Sequence, residues 1–287
     1  MRALPAAAGL LSLGAALLLP PAALGAPAES DPAPQRPLWE LGVGLAGVHL
    51  PDYRGADVSH DYLLPLPWLI YRGRWLRADR EGARAVLLES TDTELNLSAH
   101  ASAPARSRDN PARRGMADLP ATVELGPRIG HRLWRAADGS AELEAQAPLR
   151  AVMTLQRSPR WVGTVFTPTL DLSLPKRVEG WNLGVQVGAS WGSRGLHQHL
   201  YGVDAAQAEA TRPAWSARAG YGGWHALAAA SRRLHPDLWA GLFLRVDRLD
   251  GAAFADSPLV RRHSAVSGGF ALAWVLARSS EEARSGE

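Results

Sequence analysis

Gly180 to Trp191 reads GWNLGVQVGASW, and its alternation decides the fold. Trp181, Leu183, Val185, Val187, Ala189 and Trp191 fall on one face; Gly180, Asn182, Gly184, Gln186, Gly188 and Ser190 fall on the other. A period of two is a β-strand signature, because successive side chains point to opposite sides of the pleat. The apolar face carries a tryptophan at each end, which suits a strand crossing a membrane with its aromatics at the two headgroup levels.

The pattern recurs along the chain. Val123, Leu125, Ile129 and Leu133 oppose Glu124, Arg128 and Arg132. Leu143, Ala145, Ala147 and Leu149 oppose Glu142, Glu144, Gln146 and Arg150. Leu238, Ala240, Leu242, Leu244 and Val246 oppose a face that includes Arg245 and Asp247. Val266, Phe270, Leu272 and Trp274 align near the end. Trp181, Trp191 and Trp274 are the expected aromatic girdle. The charges Glu124, Arg128, Arg132, Glu142, Glu144, Arg150, Arg245 and Asp247 are expected to point into a lumen and pair there.

No segment after the N-terminal leader is long and apolar enough for a transmembrane helix. A membrane-spanning chain of this kind must then be a closed sheet, since only closure satisfies every backbone group in lipid. Strands are placed near 38–50, 62–71, 74–79, 83–90, 93–101, 119–134, 140–153, 161–174, 179–191, 215–232, 237–249 and 263–277. The connections at 50–61, 102–118, 192–214 and 250–262 are long, and the others are short. An up-and-down order puts the long ones on one side, the outer-membrane pattern of long outer loops and short periplasmic turns. It requires 74–90 to split at Asp79–Gly82, giving an antiparallel transmembrane barrel of about 12 strands, an even number. The longest loop contains Tyr201-Gly202, which breaks the preceding strand, and Asp204, which can cap a helix over Ala205–Ala210.

The remaining sequence fits an envelope protein. Lys plus Arg is 31 against 28 Asp plus Glu, a net charge of +3 with no basic block interleaved with aromatics, so nucleic acid is not an expected partner. With no cysteine, disulfides and thiolate chemistry are excluded. Arg2, the apolar run Leu10–Leu19 and the small residues after it read as a secretory signal peptide over 1–25, cleaved after Gly25 or Ala28. Residues 26–37 read as a flexible leader, 38–277 as the barrel, and 278–287 as a disordered polar tail.

Four stretches together resemble the MipA/OmpV family of outer-membrane proteins. They are WELGVGLAGVHLPDYRGAD (39–57), LPLPWLIYRGRWL (64–76), YGVDAAQAEATRPAW (201–215) and ADSPLVRR (255–262), with RRGMADL (113–119) as a further loop motif. The motif residues are Pro51, Tyr53, Gly55, Asp57, Tyr201, Gly202, Val203, Asp204, Asp256, Ser257 and Pro258, and their order spans nearly the whole mature chain. The resemblance implies a non-enzymatic outer-membrane barrel. It further implies a scaffold for murein synthesis and turnover, with a lytic transglycosylase and a bifunctional penicillin-binding protein as partners. Asp204 stands where that family usually has Ser or Thr, and the last aromatic, Trp274, is followed by further residues.

Other constellations are weighed on their own. His197 and His199 lie two apart, but a metal site needs three or four ligands, so neither a metal nor a cofactor is expected. Ser190, Ser193, the histidines and Asp204 resemble a hydrolytic set only in composition, and no nucleophile motif supports catalysis. The outer-loop arginines Arg54, Arg106, Arg108, Arg113, Arg114, Arg261 and Arg262 suit lipopolysaccharide phosphates. A small-solute channel is the alternative function, and a lipid-modifying enzyme ranks below it.

Overall fold

The computed structural model describes residues 37–79, 82–178 and 180–283. The signal peptide and nearly all of the leader expected from the sequence lie outside them. Strands run β1 (Trp39–Pro51), β2 (Ser59–Arg72), β3 (Leu76–Asp79), β4 (Gly82–Glu89), β5 (Thr93–Ser102), β6 (Thr122–Arg135) and β7 (Glu142–Thr154). They continue with β8 (Trp161–Phe166), β9 (Thr169–Val178), β10 (Trp181–Gly192), β11 (Gly220–His235), β12 (Leu238–Arg248) and β13 (Ser264–Arg278). β8 and β9 are two parts of one stave. Both pair with β7 on one side and β10 on the other, and Thr167-Pro168 separates them. The staves therefore number twelve, as the alternation and loop parity predict.

Each stave is antiparallel to its neighbours, and β13 returns to β1, Glu40↔Arg278 through His49↔Gly268, which closes the ring. Closure is what allows this sequence to face lipid, because it pairs the staves all round the ring except above the short β3–β4 hairpin. The outward faces are apolar: Val185, Val187, Leu242, Leu244, Ile129 and Leu149 are all exposed. The inward faces of β6, β7 and β10 are polar and mostly buried or half-buried, as Asn96 is on β5. No described helix is long and apolar enough to cross a membrane, which says nothing about crossing by strands.

Three expectations change. The longest loop's α-helix, α1, is Arg194–Tyr201, earlier than the segment chosen from the sequence. Ser193 caps it by accepting from the Leu196 N–H, while Asp204 opens only the 3-10 turn Ala205–Gln207. That turn goes no further, since the flanking chain is tied up elsewhere: Val203 pairs with Trp215, and Glu209 with Arg212. The next strand starts at Gly220, where φ of 145° favours glycine, and not at Trp215. Finally, part of the expected disordered tail is paired. Arg278 belongs to β13, the Leu38 N–H donates to the Glu281 carbonyl at 2.8 Å, and Pro37 bridges Glu282.

Candidate functional site: the outer cap and the lumen

The four long loops do not extend separately from the barrel. Tyr53 and Ala56 (first loop), Ala105 and Leu119 (second), Tyr201 and Val203 (third), and Leu249, Ala252, Phe254 and Leu259 (fourth) share one buried core. The third, fourth and first loops leave from neighbouring staves and the second from β5–β6 further round the ring, so a common core means that the second loop meets the other three over the mouth. Apolar burial of this kind is the ordinary driving force of a water-soluble domain, here built on top of a membrane one.

The family motifs supply the joints. Tyr201 stacks on Phe254 with ring centroids 3.8 Å apart and planes 9° apart. Its hydroxyl donates to the Arg54 carbonyl at 2.9 Å, and the Ser257 hydroxyl donates to the Tyr201 carbonyl at 2.7 Å. The Tyr53 hydroxyl donates to the Leu259 carbonyl at 2.9 Å. Burial pushes the Tyr53 phenol up to about 12 and raises that of Tyr201 as well, so both remain hydrogen-bond donors. Gly55 turns at φ of 97°, and a Cβ there would meet Leu249 and Val260; its carbonyl accepts from the Arg261 and Arg262 N–H groups. Gly202 and Val203 are buried at the end of α1, and Pro51 closes β1 below the cap. Asp57, Asp204 and Asp256 are exposed, and Pro258 is half-buried. Sequence proximity thus marks the motif, but burial divides it into core and rim.

The outer-loop arginines divide in the same way. Arg113, only 4% exposed, donates to the Leu200 carbonyl at 3.0 Å and lies over the Tyr53 ring. Burial lowers its affinity for a proton. Arg54 turns inward to Asp247 at 3.0 Å and to the Ser190 hydroxyl at 2.9 Å. Neither faces lipopolysaccharide, contrary to the sequence reading: Arg113 is held by carbonyls of the cap itself and Arg54 by the Asp247 carboxylate below it. Arg106, Arg108, Arg114, Arg261 and Arg262 do remain exposed. Arg212, which sequence reasoning missed, is buried and donates to the Ala112 and Arg114 carbonyls, pinning the third loop to the second.

Below the cap, the predicted lumen charges point inward. Arg245 grips Asp247 through two bonds of 2.7 and 2.9 Å, so Asp247 holds two guanidiniums at once. Arg132 reaches Glu142 at 3.4 Å, and Arg150 reaches Glu124 at 3.8 Å. Arg128 donates to Gln146 at 3.1 Å, and Glu144 reaches across Gly130 of β6. Residues not singled out extend the network: Arg77 bonds Glu89 and Glu94, Arg84 lies 3.2 Å from Glu94, and Arg72 bonds Glu40 at 2.7 Å. The strand period could have found these, had the short β3 and β4 been phased.

The lumen is not polar throughout. Ala46 and Val48 of β1, Leu227 and Ala229 of β11, Phe243 of β12, and Ala273 and Val275 of β13 are buried, with Tyr62 and Leu64 of β2 packed nearby. The lumen therefore carries an apolar patch shared by β11, β12, β13, β1 and β2 among its charges. The signal lay in YLLPLPWLI (62–70), which has no charged residue on either face.

The weaker constellations come apart. His197 and His199 sit on α1, where a two-residue spacing points side chains to different sides. His197 Nδ1 is 2.7 Å from the Arg218 carbonyl. Ser190 bonds Arg54 and the Gly223 carbonyl, and Ser193 is occupied with capping and with the Thr164 N–H. No group of three potential metal ligands occurs among the described residues. Trp181 and Trp191 point outward at opposite ends of β10, and Trp274 points outward on β13.

Comparison with solved structures finds outer-membrane barrels. The COG4313 outer membrane channel from Pseudomonas putida F1 is 13% identical, with a TM-score of 0.44, covering 88% of this chain and 99% of that one. A bacterial polysaccharide outer membrane secretin is 10% identical with a TM-score of 0.40, over 83% of this chain and 99% of that one. The NanC porin is 8% identical with a TM-score of 0.37, over 82% and 100%. None of the three is near enough to argue function. No curated protein matches. The family model for the MltA-interacting protein MipA matches residues 43–276, from within β1 to near the end of β13. The chain is an outer-membrane β-barrel and belongs to the MltA-interacting protein MipA family.

Proposed function

We propose that this barrel is a non-catalytic, non-conducting anchor that holds murein-acting enzymes at the inner surface of the outer membrane. A lytic transglycosylase is the first partner and a bifunctional penicillin-binding protein the second. The family's description supports the first. The observation that carries the reading is the fused cap: four loops bury one core over the mouth, above a lumen lined by ion pairs. A structure closed in this way leaves the periplasmic turns as its binding surface. The first of them presents Trp75, 65% exposed, with the Arg74 guanidinium over its ring at 5.3 Å. An exposed aromatic paired with arginine is the chemistry that interface hot spots use. The signal peptide delivers the chain to the periplasm for insertion, the three tryptophans fix its depth, and the exposed loop arginines meet lipopolysaccharide phosphates.

The test is retention of detergent-solubilised protein on an immobilised lytic transglycosylase at physiological salt. Binding that falls at least tenfold in W75A supports the anchor, and no retention of the wild type refutes it. Planar-bilayer recording separates the alternative: steady conductance from the purified wild type establishes a small-solute channel instead.

A further inference from the structure

The wall of the barrel is closed only in its periplasmic part between β2 and β5. β3 pairs with β2 at Tyr71↔Ala78 and Arg72↔Arg77 alone, although β2 runs from Ser59 to Arg72. β4 pairs with β5 only from Glu94 to Ser98, which leaves Ala99–Ser102 paired to β6 alone. Above the β3–β4 hairpin the two tall staves therefore have no strand between them among the described residues, and the wall carries a notch that faces the outer half of the membrane.

The sequence of β2 is adapted to that notch. The Arg72 N–H donates to the Leu38 carbonyl on the β1 side. With the continuous register Trp39↔Tyr71 to Pro51↔Ser59, even-numbered residues of β2 bond β1 and odd-numbered ones face the notch. Pro65 and Pro67 are odd-numbered. Two backbone donors are thus missing from the middle of the open edge, where they would otherwise meet hydrocarbon. The same prolines oppose addition of a strand from a peptide or a second copy, since neither position can donate. The side chains match this. Leu63, Pro65, Pro67 and Leu69 point outward, and Tyr62, Leu64, Leu66, Trp68 and Ile70 point into the lumen. Leu63 and Leu69 are exposed on the outer face, and Tyr62 and Leu64 on the inner face pack against the cluster of Val48, Leu227 and Phe243.

We propose that the notch is a lateral portal through which the hydrocarbon chain of a bilayer lipid enters the barrel and lies against Leu64, Leu66 and Trp68. The cap covers the mouth above, and the surrounding medium at this height is acyl chain. A lipid chain needs no hydrogen bond from Pro65 or Pro67, the two positions of this edge that have no N–H to offer. It gains the apolar inner surface that water would wet at a cost.

The test uses the unmodified mature chain in vesicles that contain phosphatidylglycerol with a diazirine in mid-acyl position, followed by illumination and peptide mass spectrometry. Lipid adducts are expected on Leu64, Leu66 and Trp68 at yields within about threefold of those on outward Leu63 and Leu69. Inward Ser173 and Gln186, behind paired wall, should be labelled at least tenfold less. Adducts confined to outward faces overturn the portal. Equal labelling of all inward residues also overturns it, because lipid would then enter by another route.

Discussion

Cap and wall solve opposite problems with the same residues. In the cap, Leu259 is fully buried at 0% exposure and packs with Tyr53, Tyr201 and Phe254, as in any water-soluble core. In the wall, Leu244 is 54% exposed and meets lipid. Its neighbour Asp247 is 5% exposed and held by two arginines. Loop sequence therefore follows the inside-out rule of soluble proteins, and strand sequence inverts it, within a few residues of each other. The junction is explicit at Arg54, which leaves a loop of the cap and ends on Asp247 in the lumen.

The largest effect that tests this contrast is F254A. It removes a fully buried ring stacked on Tyr201, a type of change that costs about 3–5 kcal/mol. The loss should be confined to the cap. Limited proteolysis should cut between residues 193 and 219 at least tenfold faster, while the heat-modifiable gel mobility of the barrel stays unchanged. If the whole barrel loses that mobility, cap and wall are one cooperative unit and the contrast fails. L244R comes next. An arginine at mid-bilayer costs about 2–4 kcal/mol. The shift should appear in denaturant titrations of folding into vesicles, with cap proteolysis unaltered.

Asp247 sharpens the contrast because it serves both regions. D247A strands Arg245 and Arg54, and losing hydrogen bonds to charged groups costs about 1.5–3 kcal/mol. Unlike the first two substitutions, it should lower barrel stability and accelerate cap proteolysis together. A variant that moves only one of the two readouts would show that Arg54 does not connect them.

How much of this was legible in the sequence follows from the same contrast. Strand faces were readable because the lipid side has period two and carries no charge, as in Leu238 to Val246. The twelve staves and the long-short loop rhythm came out of that pattern with no three-dimensional information. A helix of the longest loop lying over the mouth was readable, but the core that the four loops share was not. Tyr53, Leu119, Tyr201 and Phe254 are far apart in sequence and show no periodicity, so only folding reveals that they touch. The family motifs marked the right loops but did not distinguish buried Ser257 from exposed Asp256 beside it. The helix was misplaced since Asp204 and the alanines after it have the better propensity, while Ser193 wins through its tertiary place against Thr164. The notch was hidden for a different reason. The strand at 62–71 runs through Pro65 and Pro67 in the sequence reading, and only the register shows that both face the side without a partner strand among the described residues.

The smallest effect belongs to α1 in the cap. Burial holds the His197 imidazole below its usual proton affinity, more than the hydrogen bond to the Arg218 carbonyl raises it, and Arg54 adds repulsion. His199 is shifted the same way by burial and by Arg113 and Arg160. A group whose folded affinity is depressed is neutral in the closed cap but binds a proton when the cap opens. Its contribution is fully present above the unfolded value of about 6.5 and is lost as pH falls through it. Proteolysis at 193–219 should therefore be slow at pH 7.5 and a few-fold faster at pH 5.5, with barrel mobility on gels constant. H197F keeps an aromatic against Phe254, 4.8 Å away in the wild type, and should remove most of the dependence. A dependence of the same size in that variant would assign the loosening to His199, and no dependence in the wild type would show that the cap closes without regard to either imidazole.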